Sequence, residues 1–246
     1  RSTLFPYTTL FRSAVYLRSR LSFPPASILY ILSKKKGAKN KMKDKVVIIG
    51  ASITGFYVMN ELVKQGFSGE ISIIDSKGVY PYNPYPLTKE WMLDKDELEP
   101  PFLAEKAFYA DNNIDLRLNT RVTSINPEEQ TITTQLDETI PYDHLVIATG
   151  STLRRLSIPG DDAEGVFYLR DFDDAMKIKQ WSGDKENVVI IGSGFIGLEL
   201  ASTFSQLGKK VSVVEKFGKP LERILGEQVS EYFTNKIGRA SCRERV

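Results

Sequence analysis

Two glycine-rich turns, about 140 residues apart, hold the residues of this sequence whose types and spacing could do chemistry. The second turn reads Gly192-x-Gly194-x-x-Gly197, and Glu215 ends the apolar run that follows. In such a turn the first glycine permits the tight bend, the second lets backbone approach a pyrophosphate, and the third lets the helix pack closely on its strand. An acid at the strand end accepts hydrogen bonds from a ribose 2′-OH and repels a 2′-phosphate. Glu215 therefore favours NAD(H), although Lys216 beside it leaves NADP(H) open.

The first turn, from Gly50 to Gly55, is a variant of the same pattern. Ser52 stands at the second glycine position, and Asp75 ends the following strand 20 residues after Gly55. Serine is small enough to hinder the backbone approach only slightly, so we predict a working nucleotide site in which helix N-terminal N–H groups bind the phosphates. For this turn alone, a strand-turn-helix unit that binds no phosphate remains the alternative.

The elements around both turns follow one pattern. Residues 46–49 are apolar throughout, as in a strand buried on both faces, and Phe56, Met59, Leu62 and Val63 recur at helical spacing. The stretch "NVVIIGSGFIGLELASTFSQLGKKVSVVEKF" repeats strand, turn, helix and strand. Two such units, each with its acid in place, are far more specific than either alone. The sequence predicts an α/β fold with two Rossmann-like dinucleotide-binding domains.

Glu199 is the unexpected residue of the second unit. It interrupts the apolar helix "FIGLELAS", where an unpaired buried carboxylate would be costly, so we expect a cationic partner. A solvated helix face is the alternative.

The two ends of the chain differ from its middle. Residues 1–41 contain nine Lys and Arg and no acid, which is typical of a transit peptide or of a patch that binds nucleic acid or a membrane surface. We favour another explanation, because residues 1–13 and 237–246 match the translation of a common sequencing-library adapter and of its reverse complement. Residues 14–41 would then be upstream DNA read in frame before a start at Met42. Of the 33 basic and 31 acidic residues, 21 and 30 lie in residues 42–236, so this stretch has a net charge near −9 and we predict no nucleic-acid partner.

Apolar stretches near the N-terminus are short. The longest, "ASILYIL", is far below the roughly 20 residues that a membrane-spanning helix needs, so we predict no membrane span. Cys242 is the one cysteine, which excludes a disulfide framework and fits a reducing compartment. We therefore expect a soluble, cytoplasmic protein.

Six stretches of residues 42–236 together resemble one family: "VVIIGASITG", "YPYNPYPLTKEWM", "YDHLVIATGSTLRRLSIPG", "YLRDFDDA", "VVIIGSGFIGLELAS" and "VVEKFGKPLERILGEQVSEYF". The chain is similar to the FAD-dependent pyridine nucleotide-disulfide oxidoreductase superfamily, and most similar to its ferredoxin and rubredoxin reductase group. The resemblance implies an FAD-binding domain whose first segment is 42–156 and an NAD(H)-binding domain over 157–236. We expect both domains to be incomplete, so that this fragment binds FAD weakly and is itself inactive.

Carried over residue by residue, the resemblance also implies a site. Contacts to FAD would come from the first turn, from the "ATG" stretch and from isolated positions, namely Gly50, Ser52, Thr54, Gly55, Asp75, Lys89, Val122, Ala148, Thr149, Gly150 and Arg154. Contacts to NAD(H) would come from Gly192, Gly194, Gly197 and Glu215. Lys89 and Glu199 would form a catalytic ion pair that holds the nicotinamide against the flavin and tunes hydride transfer. The usual "YDRPPLSK" reads "YNPYPLTK" here, so Asn83 and Pro84 replace an Asp and an Arg.

Residues 42–236 contain no cysteine, whereas the classical disulfide reductases of the superfamily place a cysteine pair against the flavin. We therefore predict an NADH-dependent FAD oxidoreductase that passes electrons to an external acceptor, by resemblance a small iron-sulfur protein such as a ferredoxin or a rubredoxin. Three alternatives stay open. They are the N-terminal part of a larger enzyme such as a nitrite reductase large subunit, an NADH-binding regulatory flavoprotein, and a disulfide reductase whose thiol lies outside this stretch.

Overall fold

The computed structural model describes residues 30–33 and 44–237. Cys242 and residues 1–13 and 238–246 lie outside the described part of the chain. The described residues divide into two compact units, one formed by 30–33 and 44–83 together with 102–152, and the other by 84–101 together with 153–237. The domain boundary after residue 156 stays a prediction, and the segment 84–101 groups with the second unit.

Eight strands are described in the first unit. They are β1 (Tyr30–Ser33), β2 (Lys45–Ile49), β3 (Glu70–Ile74), β4 (Ile114–Arg117), β5 (Val122–Asn126), β6 (Thr131–Thr134), β7 (Thr139–Pro141) and β8 (His144–Ile147). Strands β8, β2, β3 and β4 form a parallel sheet in that order, and β1 pairs antiparallel with β8 at its edge. Strands β5, β6 and β7 form a separate antiparallel sheet. Strand β1 lies within residues 14–41, whose interpretation as upstream translation stays a prediction.

Both faces of strand β2 are covered, as its continuous apolar run predicts. Val46 and Ile48 pack on one face with Met59 of helix α1 (Ile53–Lys64), while Val47 packs on the other face in a cluster with Ile132 of β6. Each of these side chains is at most 2% exposed. Alternate residues of one strand therefore fill two cores, which fixes the register of β2 and the position of the turn that follows it.

The second unit contains strands β9 (Asn187–Ile191) and β10 (Lys210–Val214), which pair in parallel. Its helices are α2 (Glu90–Leu93), α4 (Phe172–Ser182), α5 (Phe195–Gln206) and α6 (Glu222–Ile237), the last with a kink at Gly226, and α3 (Lys106–Asp111) belongs to the first unit. A short 3-10 turn (Tyr85–Thr88) precedes α2. Burial alternates along β9 and β10, so one face of this pair is exposed. Among the helices of residues 44–237, none combines the length and the apolar character that a bilayer crossing requires.

Candidate functional site

The two glycine-rich turns share one backbone arrangement. The N–H of Gly50 donates to the carbonyl of Ile74, and the N–H of Gly192 donates to the carbonyl of Val214, both at 2.8 Å. The first glycines have φ angles of 111° and 102°, in the region that residues with a Cβ rarely adopt. Each turn is therefore tied to the end of the neighbouring strand, and each helix begins three residues after its first glycine.

Asp75 braces the first turn. One carboxylate oxygen accepts the N–H of Ala51 and the other accepts the N–H of Lys77, each at 2.7 Å. The acid thus links the turn to the loop that follows β3. A carboxylate has about four acceptor positions, so these two bonds leave capacity for a further donor.

Glu215 braces the second turn in the same way. Its carboxylate accepts the N–H of Ser193 at 2.8 Å and the N–H of Phe217 at 2.9 Å, and the hydroxyl of Ser193 donates a further bond at 2.5 Å. Partial burial raises the pKa of Glu215, but the hydrogen bonds from Ser193, Phe217 and Lys216 outweigh it and hold the pKa below its usual value. Ser193 was not predicted from the sequence, although its place between two glycines of the motif is a usable signal.

Glycine occupies the three positions of the second turn for different reasons. Gly192 is required by its φ angle, and a Cβ on Gly197 would lie 2.1 Å from the carbonyl oxygen of Gly192. Gly194 has an ordinary φ of −74°, and a Cβ there would meet no atom within 4 Å. The protein itself does not require glycine at this position. Open space at a helix N-terminus is where a pyrophosphate would lie, so the turn fits a dinucleotide.

The first turn packs against the end of β8. A Cβ on Gly55 would lie 2.0 Å from the carbonyl oxygen of Gly50, and a Cβ on Gly50 would lie 2.3 Å from the carbonyl oxygen of Ala148. The hydroxyl of Ser52 donates to the same Ala148 oxygen at 3.2 Å. This turn therefore has the close packing of the second turn, with a serine bonded to the neighbouring strand end in place of the middle glycine.

The other predicted flavin contacts fall in different places. Thr54 lies in the first turn of α1, and Val122 begins β5, two residues after Thr120, whose N–H donates to the carbonyl of Asp75 at 2.7 Å. Thr149 and Gly150 directly follow Ala148, with Gly150 at a φ of 71°. Arg154 is exposed and belongs to the second unit. The structure thus brings the first turn, Asp75 and residues 148–149 together, while the roles of all these residues stay predictions.

Lys89 and Glu199 form an ion pair within the second unit. The ammonium of Lys89 lies 2.7 Å from Glu199 Oε2, and the hydroxyl of Thr88 donates to the same oxygen at 2.6 Å. Partial burial raises the pKa of Glu199, but the hydrogen bonds from Lys89 and Thr88 and the charge of Lys89 outweigh it, so the pKa lies below its usual value. The side chains of Lys89 and Glu199 are 43% and 35% exposed, so a ligand can reach them. The cationic partner expected for Glu199 is present, whereas Thr88 was not foreseen from the sequence.

Known proteins identify the family. Residues 44–240 match the family described as pyridine nucleotide-disulphide oxidoreductase. The chain belongs to this family. Terpredoxin reductase of a Pseudomonas species is 36% identical over 196 residues, which are 80% of this chain and 46% of the relative. Rubredoxin-NAD(+) reductase of Pseudomonas putida is 32% identical over 180 residues, which are 73% of this chain and 47% of the relative.

A solved structure of the family has the same fold. The ferredoxin reductase for the CYP199A2 system from Rhodopseudomonas palustris is similar with a TM-score of 0.74 at 34% identity, over 78% of this chain and 48% of that chain. The chain therefore spans about half the length of the relatives it matches. The family and the α/β fold with two Rossmann-like units, both predicted from the sequence, are confirmed.

Proposed function

We propose that the protein is an NADH-dependent FAD oxidoreductase that passes electrons to a small iron-sulfur protein such as a ferredoxin or a rubredoxin. The observation that carries this proposal is the repeated turn. Two units of one chain each place a glycine-rich turn at a helix N-terminus, with a carboxylate bonded to it. Two dinucleotide sites in one chain suit an enzyme that transfers electrons between two nucleotide cofactors. The names of the two relatives, one a terpredoxin reductase and the other a rubredoxin reductase, support the class of acceptor.

FAD and NADH, when bound, would supply the redox chemistry, and the residues of the chain would bind and orient them. We assign FAD to the first turn and Asp75, and NADH to the second turn and Glu215. The hydrogen bonds that keep Glu215 anionic suit acceptance of ribose hydroxyls. The same charge disfavours a 2′-phosphate, which supports NADH over NADPH.

The ion pair is assigned to the nicotinamide end of the second site. Glu199 lies in α5 two residues after Gly197, so it follows the pyrophosphate-binding turn along the same helix. A carboxamide both donates and accepts hydrogen bonds, and the pair offers N–H donors of Lys89 beside the carboxylate of Glu199. We propose that these two side chains hold the nicotinamide in the orientation for transfer.

Cysteine content supports both the class of acceptor and the compartment within this proposal. Residues 42–236 contain no cysteine that could receive electrons from a flavin, which supports an external acceptor. The lack of cysteine in residues 42–236 also suits the reducing cytoplasm, which we propose as the compartment.

The test uses the full-length, flavin-loaded protein that contains this chain. It is mixed anaerobically with NADH or NADPH, and the visible absorbance of the flavin is followed. We expect NADH to bleach the flavin faster than NADPH does. Lys89→Met should slow this reduction at least about tenfold, since the nicotinamide loses an orienting group. Lys95→Met, at an exposed lysine of the same segment, is the matched control and should change nothing. Flavin that NADH cannot bleach would overturn the proposal.

A further inference from the structure

The segment 84–101, which carries Lys89, is attached to α5 by two residues one helical turn apart. Glu199 accepts a hydrogen bond from the hydroxyl of Thr88 and pairs with the ammonium of Lys89, as described above. The hydroxyl of Thr203 donates to the carbonyl of Thr88 at 2.6 Å in a buried position. Positions four apart lie on the same helix face, so a single face of α5 makes both attachments.

A second attachment of the segment comes from α4. The ammonium of Lys179 donates to the carbonyl of Trp91 at 2.8 Å and to the carbonyl of Glu97 at 2.6 Å. The same ammonium lies 4.0 Å from the centre of the Trp91 ring, within the range of a cation-π contact. One side chain therefore binds three features of the segment.

Trp91 is itself held firmly. It is 3% exposed, its indole N–H donates to the carbonyl of Glu99 at 2.7 Å, and its ring meets the ring of Phe172 edge to face at 5.3 Å. The loop from Trp91 to Glu99 is thereby closed on itself. Any element that fixes Trp91 fixes the loop as well.

Burying the ammonium of Lys179 beside Trp91 has a desolvation cost, which indicates that the bonds made by this ammonium are important. Partial burial lowers the pKa of Lys179, against the opposing influence of the carboxylates of Asp94, Glu97 and Asp96. An apolar side chain could cover Trp91 without that desolvation cost, but it could not bond to two carbonyl groups. The lysine therefore links parts of the segment that packing alone would not join.

We propose that Lys179 is a positioning residue that clamps the segment 84–101 onto α4 and thereby holds Lys89 at Glu199. Helix α2 begins directly after Lys89 and contains Trp91, so a displacement of Trp91 is transmitted to Lys89 over only two residues. The clamp stands on the contacts of the second unit, and its importance for hydride transfer rests on the proposed function.

The test compares Lys179→Met, which keeps an apolar stem, with Lys179→Arg, which restores a cation with N–H donors. In Lys179→Met we expect amide hydrogen exchange in residues 84–101 to become at least about tenfold faster. We also expect the pKa of the Glu199 carboxyl, followed by NMR, to rise toward its usual value. Lys179→Arg should restore both readouts. Lys177→Met, at an exposed lysine of the same helix, should leave both as they are in the unaltered chain.

The inference is overturned if Lys179→Met behaves like Lys177→Met, or if Lys179→Arg restores neither readout. If Lys179→Met also speeds exchange in β9 and β10, the unit as a whole has loosened. A further variant, Trp91→Phe, then distinguishes loss of the clamp from this general loosening. That variant keeps an aromatic ring but loses the indole donor and weakens the cation-π contact. Trp91→Phe is therefore compared in the unaltered chain and in Lys179→Met. A smaller acceleration of exchange in 84–101 when Lys179 is already replaced supports the clamp, and accelerations that simply add overturn it. Flavin reduction that is unaffected by Lys89→Met would instead count against the role of the ion pair and leave the clamp intact.

Discussion

Two glycines of the second turn should serve different purposes, Gly194 the binding of NADH and Gly197 the stability of the fold. A Cβ at Gly194 would meet open space, so Gly194→Ala should cost under about 1 kcal/mol of folding stability, as at other helix N-caps. Its methyl group would occupy the approach of the pyrophosphate and should weaken NADH binding at least about tenfold. Gly197→Ala would place a Cβ 2.1 Å from a carbonyl oxygen and should destabilise the unit by about 1–3 kcal/mol. Urea unfolding measures the loss of folding stability in each variant, and titration with NADH measures the dissociation constant. Equal losses of stability and equal dissociation constants in the two variants would contradict the prediction.

The hydroxyl of Ser193 should increase the preference of the second turn for NADH over NADPH. Ser193→Ala removes the hydroxyl that donates to Glu215. The pKa of the Glu215 carboxyl should rise toward its usual value, because a bond that stabilises the anion is lost. With the carboxylate less firmly oriented, the ratio of the NADPH and NADH dissociation constants should fall by roughly threefold to tenfold. Ser205→Ala, at an exposed serine of α5, is the control, and an equal ratio in both variants would refute the assignment.

At the scale of elements, helix α1 is held to the first sheet through its buried face. Met59 is 0% exposed within the cluster that includes Val46 and Ile48, whereas Tyr57 of the same helix is 55% exposed. Met59→Ala should therefore lower the free energy of unfolding by about 2–5 kcal/mol through lost burial and a residual cavity. Tyr57→Ala should change it by less than about 1 kcal/mol. Equilibrium unfolding measures both variants. Equal losses in the free energy of unfolding would contradict this packing.

The elements next to the turns could be predicted from the sequence because their signals are local. The apolar run of β2, the helical spacing of Met59 and the acid at the end of β3 lie within 30 residues of each other. The attachment of 84–101 to the second unit could not be predicted in this way. It depends on Lys179, 88 positions from Trp91, and on bonds to backbone carbonyls, which any residue type provides. Sequence patterns carry no record of such contacts.

At the scale of the whole molecule, the two units differ in how well their sheets are covered. Strand β2 is buried on both faces, whereas Val189, Ile191 and Val214 of the second unit are 65%, 58% and 54% exposed. Apolar side chains that remain in contact with water contribute little to folding. We expect the second unit to lose its structure at a lower urea concentration than the first, with β9 and β10 exchanging their amide hydrogens before β2 and β3 do.

Acid should widen this difference between the units. The pKa values of Glu199 and Glu215, both in the second unit, lie below the usual value, so the unfolded chain takes up protons at a higher pH than the folded unit does. Their stabilising contribution is therefore present above the ordinary glutamate pKa and is lost as the pH falls below it through the lowered values. Hydrogen exchange measured in urea at neutral and at acidic pH follows both units at once. Loss of protection at the same urea concentration in β2 and β9, at either pH, would contradict the expectation, because it would mean that the exposed face of the second unit and its two anionic carboxylates do not govern its stability.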